Sequence, residues 1–579
     1  MAQSGQQYLT YHFDDVVVEP HLVRVLKRGQ AMMLEPRAFD LLIYLIEHRD
    51  RVAEKQELFD QVWKGSFVTD NALTREVRNI RHAIGDAART SRYVRTVQKH
   101  GYRFIADVIE ERKPAPSADS APSIAVLPFS NLSAAPENEY FCDGLAEELL
   151  NALTRISDLR VVARTSSFSF KTRQLDVREI GIRLNAATVL EGSVQRTGNR
   201  VRVLTQLINT ADGYHIWSER FDREMDDIFA IQDEIAAAII DKLKVKLLPN
   251  EKSAVEKRYT ASVEAYHLYL RGRHFWNGRF APGAVEKALE YFQQAIGVDP
   301  RYGLAYSGVA DCYNLLGLFQ FRAPHTTFSS AASAAQKALE IDNTLAEAHT
   351  SLAFTKWLYV WDWPGAEREF KEALGLNSGY ALSHLYYAQY LSAMARLDEG
   401  IAEAKRAQNL DPLSLGINAN VGMVLLWARK YEQAVKQLEK TIELDPNFGL
   451  AYYYLAFTLL ALERYDEALR AIQKSIELTA GMPLAIAGLG CLYGRTGDRD
   501  KAEKALQDVE ALLHERHVTS ILLAYIYAGL GDRENFFDCM NRAYEEHSPL
   551  LACMKILPEF DAMRSDPQYD ELLRRMNLA

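Results

Sequence analysis

Several short stretches carry side chains able to do chemistry. In "ARTSSFSFK", Ser166, Ser167, Ser169 and Lys171 are the types of a serine–lysine nucleophile pair. Such a nucleophile needs a partner base and an oxyanion donor beside it, and neither is identifiable. Asp143, Glu147 and Glu148 in "DGLAEELL" are the donor types of a metal site. Acidic residues are also what the first turns of a helix favour, because the aligned N–H groups carry partial positive charge. "GLGCLYG", Gly488 to Gly494, has the glycines of a dinucleotide loop. It follows no strand and lies in a helical segment, where its glycines fill small packing positions. The histidines are dispersed, with no H-E-x-x-H. The five cysteines form no C-x-x-C pair, which points to a reducing compartment and away from a structural metal. No catalytic residue, metal or cofactor is therefore expected, and the chain does not read as an enzyme.

The chemistry that remains is charge. The 579 residues carry a net charge of −10. Residues 1–112 hold 17 basic and 16 acidic side chains, a net of +1, so the remainder carries −11. Residues 65–105 alone hold eight basic and three acidic, a net of +5. Within "TDNALTREVRNIRHAIGD", Leu73, Val77, Ile80 and Ile84 repeat at helical spacing. Asn71, Arg75, Arg78 and His82 repeat the same spacing two residues out of step, about 200° around a helix. One stripe faces a core and the other faces away, with Arg81 beside it. Arg pairs with guanine or phosphate and Asn with adenine, so such a face suits a major groove. The alternative is a solvated surface helix.

The elements needed to hold that helix are legible around it. "YHFDDVVV" and "LVRVLKRGQAMML" alternate as strands with Arg28-Gly29 as a turn. "EPRAFDLLIYLIEH" is a helix with Ala38, Leu41, Leu42, Leu45 and Ile46 inward, and "EKQELFDQVW" a second with Leu58, Val62 and Trp63 inward. Thr69 or Asp70 can cap the third helix and Gly85 can end it. "RYVRTVQ" and "YRFIADV", joined by Lys99-His100-Gly101, form a hairpin directly after it. Such a wing can touch phosphates through Thr96, Gln98, Lys99 and Arg103 while the helix reads bases.

"LTREVRNIRHAIGD" and "VRTVQKHGYRF" resemble the winged helix of OmpR/PhoB-type transcriptional regulators over about residues 8–107. The resemblance implies that Thr69–Ile84 is the recognition helix. It implies Asn71, Arg75, Arg78 and Arg81 as DNA contacts and Thr96 and Tyr102 as backbone contacts, on tandem sites and often as a dimer. Gln98 stands where the family often has a wing arginine, with Lys99 as its substitute. No receiver domain is expected ahead of it. The winged helix at the front is similar to CadC- and HilA-like regulators, with a polar linker where CadC-like members have a membrane span.

"ERKPAPSADSAP", Glu111 to Pro122, reads as an extended linker. The α/β segment that follows resembles the TolB N-terminal-like domain through "AVLPF", "DGLAEEL" and "ARTSSFSFK", which implies interaction or ligand sensing. Beyond it, helix ends recur at Asp299, Asp342, Asn377, Asp411, Asp445 and Thr479, with spacings of 43, 35, 34, 34 and 34. Small residues recur in first helices (Ala310, Ala353, Ala388, Gly422, Ala456, Gly490) and in second helices (Ala288, Ala366, Ala434, Ala468, Ala502). Close helix approach demands small residues at those places. The pattern resembles tetratricopeptide repeats (TPR), about eight of them, and implies a right-handed superhelix whose concave face holds a protein or peptide. "WLYVWDWPG" is expected to pack an extended turn, and the final segment to cap the last repeat.

The expected architecture is multidomain: an α+β winged helix-turn-helix (1–110), a linker (111–122), a small α/β domain (123–250), an all-α TPR superhelix (262–547) and a C-terminal cap (548–579). The expected function is a cytoplasmic one-component regulator with no membrane span. Its expected partners are double-stranded DNA, a protein or peptide, RNA polymerase and a second copy of itself on DNA. The expected DNA-binding set is Asn71, Arg75, Arg78, Arg81, Thr96, Lys99, Tyr102 and Arg103. One rival is a TPR scaffold whose winged helix binds protein; another is an enzyme using the middle domain.

Overall fold

The structure is a computed structural model. It describes the chain apart from residues 1–6, 20–23, 28–29, 33, 35, 63–69, 88–89, 98–99, 115–121, 134–138, 172–174, 225–227, 246, 248–256, 280, 282, 516–517 and 579. It divides into two compact units, Met1–Ala121 and Pro122–Ala579.

The first unit opens with strands β1 (Gln7–Phe13), β2 (Val16–Glu19), β3 (Arg24–Lys27) and β4 (Gln30–Met32). Helix α1 (Pro36–Glu47), strand β5 (Ala53–Glu54) and helices α2 (Lys55–Val62) and α3 (Asp70–Ile84) follow, then strands β6 (Val94–Val97), β7 (Gly101–Phe104) and β8 (Ile109–Pro114). The antiparallel sheet β4-β3-β2-β1-β8 and the small sheet β5-β7-β6 enclose one core with the helices. The apolar stripe of α1 is buried throughout, as are Leu58 and Val62 of α2; Trp63 lies outside the described residues. The expected linker from Glu111 is corrected at its start: Glu111 to Pro114 pair with Thr10 to Gln7. A proline closes that strand without cost to the ladder because β8 is an edge.

The second unit begins with β9 (Ser123–Val126), β10 (Ser130–Asn131), α4 (Glu139–Leu153), β11 (Arg160–Val161), α5 (Arg164–Phe168), α6 (Val177–Leu184), β12 (Thr188–Thr197), β13 (Arg200–Asn209), β14 (His215–Glu224) and α7 (Ile228–Leu243). Its mixed sheet runs β11-β9-β12-β13-β14, with β10 on β12. β14 was not foreseen; its residues are almost all exposed, so it carries no apolar alternation to read.

Eight helix pairs follow among the described residues. They are α8 (Val263–Asn277) with α9 (Ala284–Val298), α10 (Gly303–Leu318) with α11 (Pro324–Ile341), α12 (Ala346–Thr355) with α13 (Trp363–Leu376), and α14 (Ala381–Ala393) with α15 (Leu397–Leu410). Then come α16 (Leu415–Trp427) with α17 (Tyr431–Leu444), α18 (Gly449–Ala461) with α19 (Tyr465–Leu478), α20 (Pro483–Thr496) with α21 (Arg499–Glu515), and α22 (Ile521–Leu530) with α23 (Arg533–Glu545). The recurring alanines of both helix sets are fully buried. The aromatic stretch after α12 forms one π-helical turn, Lys356–Val360.

The array closes on itself. Thr519 N donates to Gln320 Oε1 at 2.7 Å and Gln320 Nε2 donates to Thr519 Oγ1 at 3.2 Å, so the second repeat meets the eighth. Trp361 stacks on His547 with centroids 4.7 Å apart. After two 3-10 turns, Pro549–Cys553 and Pro558–Met563, helix α24 (Pro567–Arg575) ends where Met576 O accepts from Trp363 Nε1 at 2.7 Å. The tail therefore does more than cap the last repeat: it bridges back to the third.

The α/β segment is bolted to the repeats by the groups suspected of chemistry. "ARTSSFSFK" contains the short helix α5. Ser166 N donates to Asp411 Oδ1 at 2.9 Å, the Ser166 hydroxyl donates to the same oxygen, and Leu413 N donates to Ser166 Oγ at 2.7 Å. Both Ser166 and Asp411 are buried. Glu147 pairs with Arg164 at 2.7 Å and Arg273 at 2.9 Å, and Asp143 with Lys171 at 2.7 Å. The helix-terminus explanation for these carboxylates is thus corrected. α4 begins at Glu139, too far back for Glu147 to act on its first turn, and cations from α5 and α8 meet that carboxylate instead.

Candidate nucleic-acid interface

Helix α3 is fixed by its buried stripe: Leu73 and Val77 are 1% exposed, and Ile80 and Ile84 are fully covered. It ends at Gly85, whose φ of +72° is the left-handed conformation glycine adopts freely. Asp86 N then donates to Arg81 O at 2.7 Å, the six-residue closure of a Schellman end. On the opposite side Thr74, Arg75, Arg78 and His82 are exposed. Arg75 leans on Glu76, donating to its Oε1 from Nε at 3.0 Å and Nη2 at 2.8 Å. Arg78 makes no hydrogen bond or ion pair among the described residues. Asn71 lies in the first turn of α3, but its side chain falls outside the described set, as do those of Thr69 and Asp70.

The wing starts from Asp86. Its carboxylate accepts from the backbone N–H groups of Arg92 (2.7 Å), Tyr93 (3.3 Å) and Val94 (2.8 Å). Three donors on one acidic group fix where β6 leaves the helix end. Asp14, from the β1–β2 turn, accepts from Tyr93 Oη at 2.9 Å and Arg92 Nη2 at 2.7 Å. The hairpin is pinned on its other edge by β5. A side chain at Gly101 would come 2.0 Å from Ala53 O, so only glycine allows that approach.

Arg81 is the strut between helix and wing. Its Nη2 donates to Val94 O at 2.7 Å and to Thr96 Oγ1 at 2.9 Å. Val94 pairs with Phe104, Arg95 with Arg103, and Thr96 with Tyr102. Alternate residues of a strand point to opposite faces, so Thr96 and Tyr102 share one face and Arg95 and Arg103 the other. The expected set therefore divides. Arg75 and Arg78 stand on the open side of α3, and Thr96 joins them through Arg81. Tyr102 is 5% exposed and mostly core. Arg103 lies on the far face, where its Nε donates to Arg49 O at 3.1 Å. Gln98 and Lys99 lie outside the described residues. The expected set omitted Asp86, Asp14 and Arg95. An aspartate directly after the helix-ending glycine, in an otherwise basic stretch, was a visible signal for Asp86; nothing local marked Asp14.

Residues 29–104 match the family model described as "Transcriptional regulatory protein, C terminal". The front domain is of the OmpR/PhoB type. Residues 119–238 match the HilA/YgeH-like transcriptional regulator second domain, and 438–470 a tetratricopeptide repeat. The domain order is that of HilA- and CadC-like regulators. Among curated relatives, the chain is 36% identical over 252 residues to "Putative adenylate cyclase 3" of Rhizobium meliloti, covering 42% of each chain. It is 22% identical over 428 residues to the transcriptional regulator HilA of Salmonella typhi, covering 73% of this chain and 74% of that one. It is 35% identical over 94 residues to the transcriptional activator CadC of Escherichia coli, covering 16% and 18%. The chain thus spans under half of the first of these relatives and about three quarters of HilA. These likenesses support a transcription regulator. Among the described residues, no helix is long and apolar enough to cross a membrane.

Proposed function

We propose that this regulator binds promoter DNA with α3 in the major groove and the β6–β7 hairpin on the flanking backbone. Arg78 and Asn71 contact base edges or phosphates, and Arg75 joins them by leaving Glu76 for a phosphate. Arg81 acts first as the strut that sets the wing, and Thr96 and Lys99 meet the backbone. Tyr102 supports the wing from within. Arg103 reaches a phosphate only with Arg95, from the far face. Two arginines directly opposite on an antiparallel pair repel each other, and a polyanion relieves that repulsion. The observation that carries the reading is an exposed Arg78, without a partner among the described residues, on the same helix to which Arg81 ties the wing.

On this reading the acidic α/β and TPR unit is the input. It takes a ligand or protein partner in the cytoplasm and alters dimerisation on tandem sites or contact with RNA polymerase. The test is a gel shift of the full chain on its own promoter region at 50 and 200 mM salt. Binding that steepens with falling salt, and is lost in the Arg75→Ala/Arg78→Ala protein, supports it. Equal binding by that double variant removes it.

A further inference from the structure

Ring closure gives the superhelix an interior. A cavity of about 190 Å³ lies within it, lined by the first helices of successive repeats and by the returning tail. Trp357, Tyr386, Trp427, Tyr454 and Tyr525 supply aromatic wall, and Leu550 and Leu557 of the tail line it as well, leaving it partly open. An apolar cavity of about 150 Å³ in a protein core stays dry and takes up benzene. This one is larger, and its wall is not wholly apolar.

Two wall residues leave a buried polar atom unsatisfied. Among the described residues, Trp357 is 2% exposed with no acceptor for its Nε1–H, and Glu559 is 6% exposed with no donor to its Oε2. Buried polar groups in folded proteins are nearly always paired, so each such exception calls for a reason. Both residues line the same aromatic chamber. Gln389 and Asn420, also on the wall, satisfy each other through Gln389 Nε2 to Asn420 Oδ1 at 2.8 Å, and so do not explain them.

A peptide would need an open concave face. Here the tail covers it, held by Trp363 Nε1 to Met576 O at 2.7 Å and Tyr569 Oη to Met554 O at 2.6 Å. We propose that the chamber binds a small aromatic molecule of one or two rings, carrying an N–H for Glu559 and an acceptor for Trp357. It is the ligand of the input unit described above. Its binding is independent of DNA, so a failure here leaves the promoter-binding reading intact, and a failure there leaves this one.

The experiment is calorimetric titration of the full chain with indole-3-carboxamide and benzamide as probes, each carrying an N–H and a carbonyl acceptor, with benzoate and octanoate as donor-free comparisons and a random decapeptide pool as a peptide control. The expected result is saturable one-to-one binding of at least one of the two N–H probes, and none of the comparisons. Glu559→Gln should weaken it about tenfold or more. Met423→Trp, which fills the chamber from α16, should abolish it, with helix content by circular dichroism unchanged. Should Met423→Trp fail to fold, Leu385→Phe takes its place. Absence of binding by both N–H probes, equal binding by benzoate or octanoate, capture of peptide instead, or full affinity in the filled variant would overturn the proposal.

Discussion

Replacing Arg78 by alanine separates recognition from folding. Arg78 is exposed and unpaired among the described residues, so its removal should change stability by no more than about 0.5 kcal/mol. A contact to a base or phosphate contributes about 1–3 kcal/mol, so binding should weaken roughly 5- to 150-fold. If the lost contact is to phosphate, the slope of log affinity against log salt should also fall by about 0.9. Arg81→Ala is the contrast. It removes hydrogen bonds from a cation to Val94 O and Thr96 Oγ1, of about 1.5–3 kcal/mol for charged pairs. That protein should melt earlier as well as bind less, and Arg81→Lys should not restore it, because a lysine Nζ ends one bond short of the Nη2 that makes both contacts. The assay is fluorescence anisotropy on promoter fragments at several salt concentrations, beside thermal melting. Should Arg78→Ala bind within twofold of the unaltered chain with the same slope, α3 is not the reading element.

Further expectations follow from three carboxylates. Asp86→Ala strands three backbone donors and should lower front-unit stability by about 1–3 kcal/mol, measured by amide exchange over Arg92–Val94; unchanged protection there would refute its role. Asp411→Ala should loosen the α/β segment from the repeats, seen as new protease cuts between residues 160 and 175, while a digestion pattern like the original would count against the latch. Burial, with Glu147 beside it, pushes the Glu148 carboxyl up to about 7. The folded chain then holds a proton that the unfolded chain has released, so this contribution is full below about 4.5 and lost as pH rises through 7. Glu148→Gln should shrink the drop in denaturant midpoint between pH 5 and pH 8; an equal drop would show that the group does not titrate there.

Much of the molecule was legible because periodicity survives burial. The α3 stripe and the 34-residue spacing both report faces that must be covered, and the structure covers them. The wing was legible for the same reason: Val94, Tyr102 and Phe104 alternate with exposed arginines. What could not be read was pairing across distance. Arg81 has the same residue type as Arg78, and only the position of Val94 O makes it a strut. Tyr102 follows the family pattern but lies in the core, and Arg103 sits on the far side because strand parity is fixed by Gly101, not by charge. Ser166 and Asp411 are 245 residues apart, so no local pattern could join them. β14 escaped because only Phe221 of this edge strand is buried, which leaves no alternation to display.

A linear array of repeats ordinarily unravels from its ends, each unit leaving in turn. Here Gln320 grips Thr519, and Trp363 holds the backbone near the C-terminus, so the last repeat is not a free unit that can fray first. Such a hoop should behave as one block under denaturant, and a cut in the last residues should release stability far out of proportion to their number. Its diameter is likewise fixed by the contacts at the seam, which leaves the chamber inside much less able to stretch for a bulkier guest than an open spiral would be.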